Sequence, residues 1–149
     1  MTTPSASHLT LRLPLLKLGL GVALGACVGA AMGAAAAGVF GLGAPLHAGP
    51  ALAATLFGLP VGLALLWAAG PRPILAVAGL VLASSFLRSA IAIGLTFAAV
   101  RTGGLDKSAA MISALLACVG ALIAETRIVN DHIRAAGGAT TLQTDPVHG

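Results

Sequence analysis

Four long apolar runs restrict this chain to a membrane fold. They cover residues 18–42, 51–69, 74–100 and 109–129. A helix that crosses a bilayer needs about 20 predominantly apolar residues, and each run is close to or above that length. Strands of a membrane barrel would show alternating polarity, which these runs lack. The sequence therefore predicts an all-α integral membrane protein, with four transmembrane helices in two antiparallel hairpins and both termini on the same side.

The composition leaves no room for a sizeable soluble domain. Hydrophobic residues fill 58% of the 149 positions and charged residues 8%, with a mean hydropathy of +1.01. A soluble domain has too few polar side chains at this composition to cover its surface. We predict a polar N-terminal segment over residues 1–17, a four-helix transmembrane domain over residues 18–129, and a polar, mobile C-terminal tail over residues 130–149.

The basic residues predict an orientation and not a nucleic-acid partner. Net charge is +4, but no basic patch with interleaved aromatic residues exists in the sequence. With four spans, one side of the membrane carries Arg12, Lys17, Arg72, Arg127 and Arg134, and the other side carries Arg101 and Lys107. The positive-inside rule then places both termini in the cytoplasm. A cleaved signal peptide is the alternative for the first run, and the length of that run favours a retained span.

A glycine ladder runs along the first predicted span. In the stretch GVALGACVGAAMG, glycine recurs at every fourth position, at Gly21, Gly25, Gly29 and Gly33. Small residues at this spacing let another helix approach closely, which is how helices associate where hydrophobicity cannot drive them together. We favour packing within the chain over a dedicated partner surface.

One arginine lies deep in the third predicted span. Arg88 is about a dozen residues from either end of its run, or roughly 18 Å at 1.5 Å per residue. An arginine at bilayer depth costs from about 2.5 to more than 10 kcal/mol. The side chain cannot reach the headgroups from there. It should therefore face protein, a cavity or a partner.

The fourth span offers a complementary face. Ser85 is on the small, polar face that carries Arg88, and span four presents a face of little bulk that consists of Ala114, Ala117, Ala121 and Glu125. A hairpin turn centred between Gly104 and Leu105 places Glu125 about 6 Å along the axis from the level of Arg88. Two readings stay open. Arg88 forms an internal pair with Glu125, or it binds a carboxylate of another chain, and the two can exchange.

No constellation of catalytic or ligand-binding residues competes with this pair. The four acidic residues form no close pair at helical spacing, and the four histidines are dispersed. The sequence contains no nucleophile elbow, phosphate loop or dinucleotide fingerprint. We expect no enzymatic activity, no cofactor and no bound metal.

The segment FLRSAIAIGLTFAAVRTGGLDKSAAMISALLACVGALIAETRIV carries a family resemblance. Its leucine–arginine step in span three, short glycine-containing turn and Ala-Glu-Thr step closing span four resemble the second hairpin of ATP synthase protein I, over residues 84–129. That family comprises small four-span accessory subunits of rotary ATPases. The resemblance implies a protein of the bacterial plasma membrane that helps the ring of c subunits assemble or remain associated. It also implies that Arg88 meets the ion-binding carboxylate of the ring, with Glu125 as its resting partner.

Two other functions compete with this reading. The chain can be a structural accessory subunit of another membrane complex, with the glycine ladder as its docking face. It can also be a small transporter or channel in which Arg88 and Glu125 line a polar path. The three readings differ in the partner, in the stoichiometry of the complex and in whether an ion is transported.

Overall fold

The computed structural model describes residues 10–11, 13–41, 48–70, 72–104 and 106–142. Its four helices are α1 (Leu15–Val39), α2 (Ala48–Ala69), α3 (Ile74–Gly103) and α4 (Lys107–Leu142). Each helix is long and apolar enough to span a membrane. This confirms the predicted all-helical class with four helices of membrane-spanning length.

The helix ends differ from the predicted run boundaries, most of all in α4. This helix continues past Val129 to Leu142, through the first part of the segment predicted as a polar tail. The stretch NDHIRAA contains no proline, and Pro146 comes only after the helix has ended. Residues 143–149 lie outside the described residues, so the mobility predicted for the tail stays a prediction.

Short local structures fix the helix connections on either side of α3. Strand β1 (Thr10–Leu11) pairs antiparallel with strand β2 (Arg72–Pro73), which joins the segment before α1 to the start of α3. At the other end of α3, Gly104 has a φ of 62°, the left-handed conformation that commonly ends a helix. The Asp106 carboxylate then accepts a hydrogen bond of 2.9 Å from the Ala109 amide and caps the first turn of α4. The glycine and the cap thus mark where α3 ends and α4 begins.

The most extensive helix contacts are between α1 and α4 and between α2 and α3. Along α1, the position of a Cβ on Gly25 lies against Gly120, that on Gly29 against Leu116, and that on Gly33 against Ser113. Residue numbers rise along α1 as they fall along α4, so the two helices run in opposite directions. Leu18, Leu66 and Val129 close one end of the bundle in an apolar cluster drawn from α1, α2 and α4.

Helix α2 approaches α3 through two of its own glycines. A Cβ on Gly58 would lie 3.0 Å from Arg88 Cγ, and one on Gly62 would lie 2.7 Å from Ser84 Oγ. The helix continues through Pro60 without ending. The α2 backbone therefore packs directly against the polar face of α3.

Candidate functional site

The deep arginine and the glutamate of α4 meet inside the bundle. Arg88 Nη2 donates a hydrogen bond to Glu125 Oε2 at 2.6 Å, which makes a charge-assisted ion pair. The Arg88 side chain is 5% exposed and the Glu125 side chain 1% exposed. The structure thus joins the two charged residues that the sequence singled out, across the α3–α4 contact.

A hydroxyl from the preceding turn of α3 is a second hydrogen-bond donor to Glu125. Ser85 Oγ donates a hydrogen bond to the same Oε2 atom of Glu125. Ser85 and Arg88 are three residues apart, so both side chains lie on one face of α3. One carboxylate oxygen therefore accepts from two donors of α3, and this fixes the rotation of α3 relative to α4.

The absence of a side chain at Gly58 gives the arginine its space. A Cβ on Gly58 would lie 3.1 Å from the Arg88 carbonyl oxygen as well as 3.0 Å from its Cγ, so a larger residue on α2 would push α3 away. Helices α2, α3 and α4 thus all contribute to the site.

Hydrogen-bonding capacity remains at this site. Two buried oxygen atoms near the pair, Ser84 Oγ and Glu125 Oε1, have no hydrogen-bond partner among the described residues. A guanidinium carries five N–H donors, and the ion pair is made through Nη2. Arg88 can therefore donate a hydrogen bond to one more acceptor, and Glu125 can accept one from one more donor.

The pair lies beside the outer surface of the bundle. A groove of about 310 Å³ between α3 and α4 is lined by Ser85 and Glu125, with apolar walls that include Val81 and Leu122. A second groove, of about 530 Å³, shares Ser85 with the first and extends along α3 past Phe86 and Ser89. The two grooves meet at Ser85, beside the pair.

The glycine ladder and the alanines of α4 lie together, away from the pair. Gly29 and Gly33 are buried against α4, and Gly21 and Gly25 are partly buried there. Ala114, Ala117 and Ala121 are buried at 0%, 0% and 1% exposure.

Two of these alanines contact α1. Ala121 packs with Val22 and Ala26 of α1, and the Ala117 Cα faces Gly29, whereas the sequence pattern pointed to α3 as their partner. Close backbone approach is possible only where the facing helix also lacks side chains. Helix α1 has such a ladder, whereas α3 presents Ser85 and Arg88 to α4.

The site includes two residues that sequence reasoning missed. Gly58 and Gly62 form a GxxxG motif in the second apolar run, and they receive Arg88 and Ser84 of α3. The motif itself was a usable signal, because small residues four apart mark a close helix contact.

Comparisons of this chain with protein-family models, with curated proteins and with solved structures find no match. The class is therefore set by the fold and the site alone. It is a helical protein with four helices of membrane-spanning length and a buried arginine–glutamate pair.

Proposed function

We propose that this chain is an accessory membrane subunit that assists assembly or stability of the c-ring of a rotary ATPase. The observation that carries the proposal is the Arg88–Glu125 pair, buried beside a groove on the outer surface of the bundle. A buried ion pair is weak evidence for stability, because apolar residues of similar volume often serve as well. Because the pair lies at the edge of a groove that a partner can fill, we propose that it binds that partner and does not only stabilise the fold.

The pair is suited to exchange its acidic member. A c-subunit carboxyl that enters the α3–α4 groove in its protonated form avoids the cost of moving a charge into lipid. Transfer of that proton to Glu125 would leave the incoming carboxylate to accept from Arg88, with one positive and one negative charge before and after. The protonated Glu125 then has an O–H donor, and the Ser85 hydroxyl lies within reach as its partner. The role is one of binding, without catalysis.

Co-purification with c subunits tests the proposal. The tagged chain is co-expressed with c subunits and recovered in a mild detergent, and the bound c subunit is quantified. Arg88→Ala alone is ambiguous, because it leaves Glu125 buried without its cation. The informative variants are the charge-free pair Arg88→Met/Glu125→Met and the reversed pair Arg88→Glu/Glu125→Arg.

Both double variants keep an internally compensated site, so each should remain folded. We expect both to lose most of the c-subunit recovery, while Arg101→Gln, which removes an exposed arginine at the far end of α3, retains it. Undiminished recovery with the charge-free pair would contradict the proposal. Recovery of a different membrane complex would contradict the choice of the c-ring as partner.

We further propose that both termini lie in the cytoplasm of a bacterium, with the four helices crossing the plasma membrane as two hairpins. The distribution of basic residues supports this orientation. A reporter fused after Gly149 should be active only if it requires the cytoplasm. Activity of a periplasmic reporter at that position would reverse the orientation.

A further inference from the structure

A third groove lies on the opposite side of α4, between α1 and α4. It has a volume of about 470 Å³, and its floor consists of positions without side chains, at Gly21, Gly25, Gly29 and Gly120. Its rim on α1 is the stripe Leu24, Val28 and Met32, which is between 54% and 68% exposed. The groove is therefore apolar, concave and open to whatever surrounds the bundle.

The length of the groove matches one leaflet of a bilayer. From Gly21 to Met32 its wall on α1 covers about 16 Å at 1.5 Å per residue. Half of the hydrocarbon core of a bilayer is about 15 Å thick. A single acyl chain can lie along this groove from the headgroup region to the middle of the membrane.

Positive charge marks one end of this groove. Arg127 lines it next to Ile128 and is exposed. Since Gly25 faces Gly120 in an antiparallel contact, two further turns of the same register place Lys17 level with Ile128. At about 100° per residue, Lys17 projects between the glycine ladder and Leu24, toward the groove. Two cations from different helices thus lie at the same level and the same end.

Among the described residues, neither cation has an acidic partner in an ion pair; the pair present there joins Arg88 to Glu125. Asp131 lies one turn beyond Arg127 on the same face of α4; it is exposed and does not line the groove. We propose that the groove between α1 and α4 binds an anionic phospholipid. Its phosphate lies between Lys17 and Arg127, and one acyl chain covers the glycine floor. This inference is independent of any role of Arg88.

Lipid retention by the purified chain tests this site. Dioleoyl phosphatidylglycerol and dioleoyl phosphatidylcholine are titrated against the full chain in detergent, and bound lipid is counted by native mass spectrometry. Glycerol phosphate serves as the headgroup without chains. We expect phosphatidylglycerol to bind in preference to both other probes. Equal binding of phosphatidylcholine, or equal binding of glycerol phosphate, would overturn the proposal.

Matched variants separate a built site from general attraction to positive charge. Arg127→Gln should weaken phosphatidylglycerol binding about fivefold and Lys17→Gln/Arg127→Gln about 25-fold. Arg134→Gln removes an exposed cation of the same helix that does not line the groove, and it should change binding less than twofold. Val119→Trp fills the groove without changing charge and should also weaken binding. If Arg134→Gln equals Arg127→Gln, or if Val119→Trp binds like the wild type, the groove is not the site.

Discussion

Helix α4 contacts α1, α2 and α3, and its contacts with α1 and with α3 are made by different means. Against α1 it packs on glycine, with backbone against backbone at Gly25 and Gly120. Against α3 it holds one buried charge pair, Arg88 with Glu125, and one serine hydroxyl, Ser85. The first contact depends on shape and the second on hydrogen bonding.

The difference follows from the solvent. Lipid offers no hydrophobic gain when two apolar helices meet, so association depends on dispersion, hydrogen bonds and close fit. Adding side chains to a glycine contact lowers its stability gradually. Removing one member of a charge pair lowers its stability sharply, because the other charge is then buried alone. The two contacts should therefore respond differently to substitution.

The largest expected effect is at the charge pair. Arg88→Ala or Glu125→Ala should lower the free energy of unfolding by about 3–5 kcal/mol, because each leaves an uncompensated charge. Arg88→Met/Glu125→Met should cost much less than either single change, which steric-trapping unfolding in bicelles can measure. A double variant as unstable as the sum of the two singles would show that the contact depends on shape after all.

A smaller loss is expected at the glycine contact. A Cβ on Gly29 would run into the backbone of Leu116, so Gly29→Ala should cost about 1–3 kcal/mol through displacement of α4. Gly38 in the same helix has open space at its Cβ position, so Gly38→Ala should be neutral or stabilising by up to about 1 kcal/mol. The same unfolding measurement compares the two. Equal effects at both positions would remove close packing as the basis of the α1–α4 contact.

Two adjacent serines, Ser84 and Ser85, should contribute unequally to the stability of the polar contact. Ser85→Ala loses the hydrogen bond to Glu125 and should cost about 0.6–1.7 kcal/mol, the range found for such bonds in membranes. Ser84 is equally buried, but its hydroxyl has no partner among the described residues, so Ser84→Ala should be close to neutral. A greater loss at Ser84 than at Ser85 would contradict this assignment of donors.

The smallest effect is expected outside both contacts. The Arg101 guanidinium lies 5.1 Å from the centre of the Phe97 ring, an exposed cation–π contact worth about 0.5 kcal/mol. Arg101→Ala should therefore change unfolding by no more than that amount, with Phe97→Leu as the matched removal of the ring. A loss comparable to that of Ser85→Ala would mean that this end of α3 contributes more than its contacts indicate.

Much of the site could be predicted because an unpaired charge in lipid has a high free energy. The position of Arg88 in the third run required a partner, and Glu125 was the one acidic residue within reach across the next turn. The sequence could not predict that one oxygen atom of Glu125 accepts hydrogen bonds from both Arg88 and Ser85. It depends on side-chain rotation about α3 and α4, which sequence spacing does not specify.

Hydrophobic length by itself determined the class of this protein and the number of its helices, because about 20 apolar residues are needed to cross a bilayer and four runs supply them. Only the tertiary structure decided that α1 is the main partner of α4 and that Ala117 and Ala121 of α4 contact α1. The physical reason is that, apart from the polar face of α3, the runs are apolar on all sides. Their pattern does not mark which face meets which helix, and that choice depends on how closely two backbones can approach.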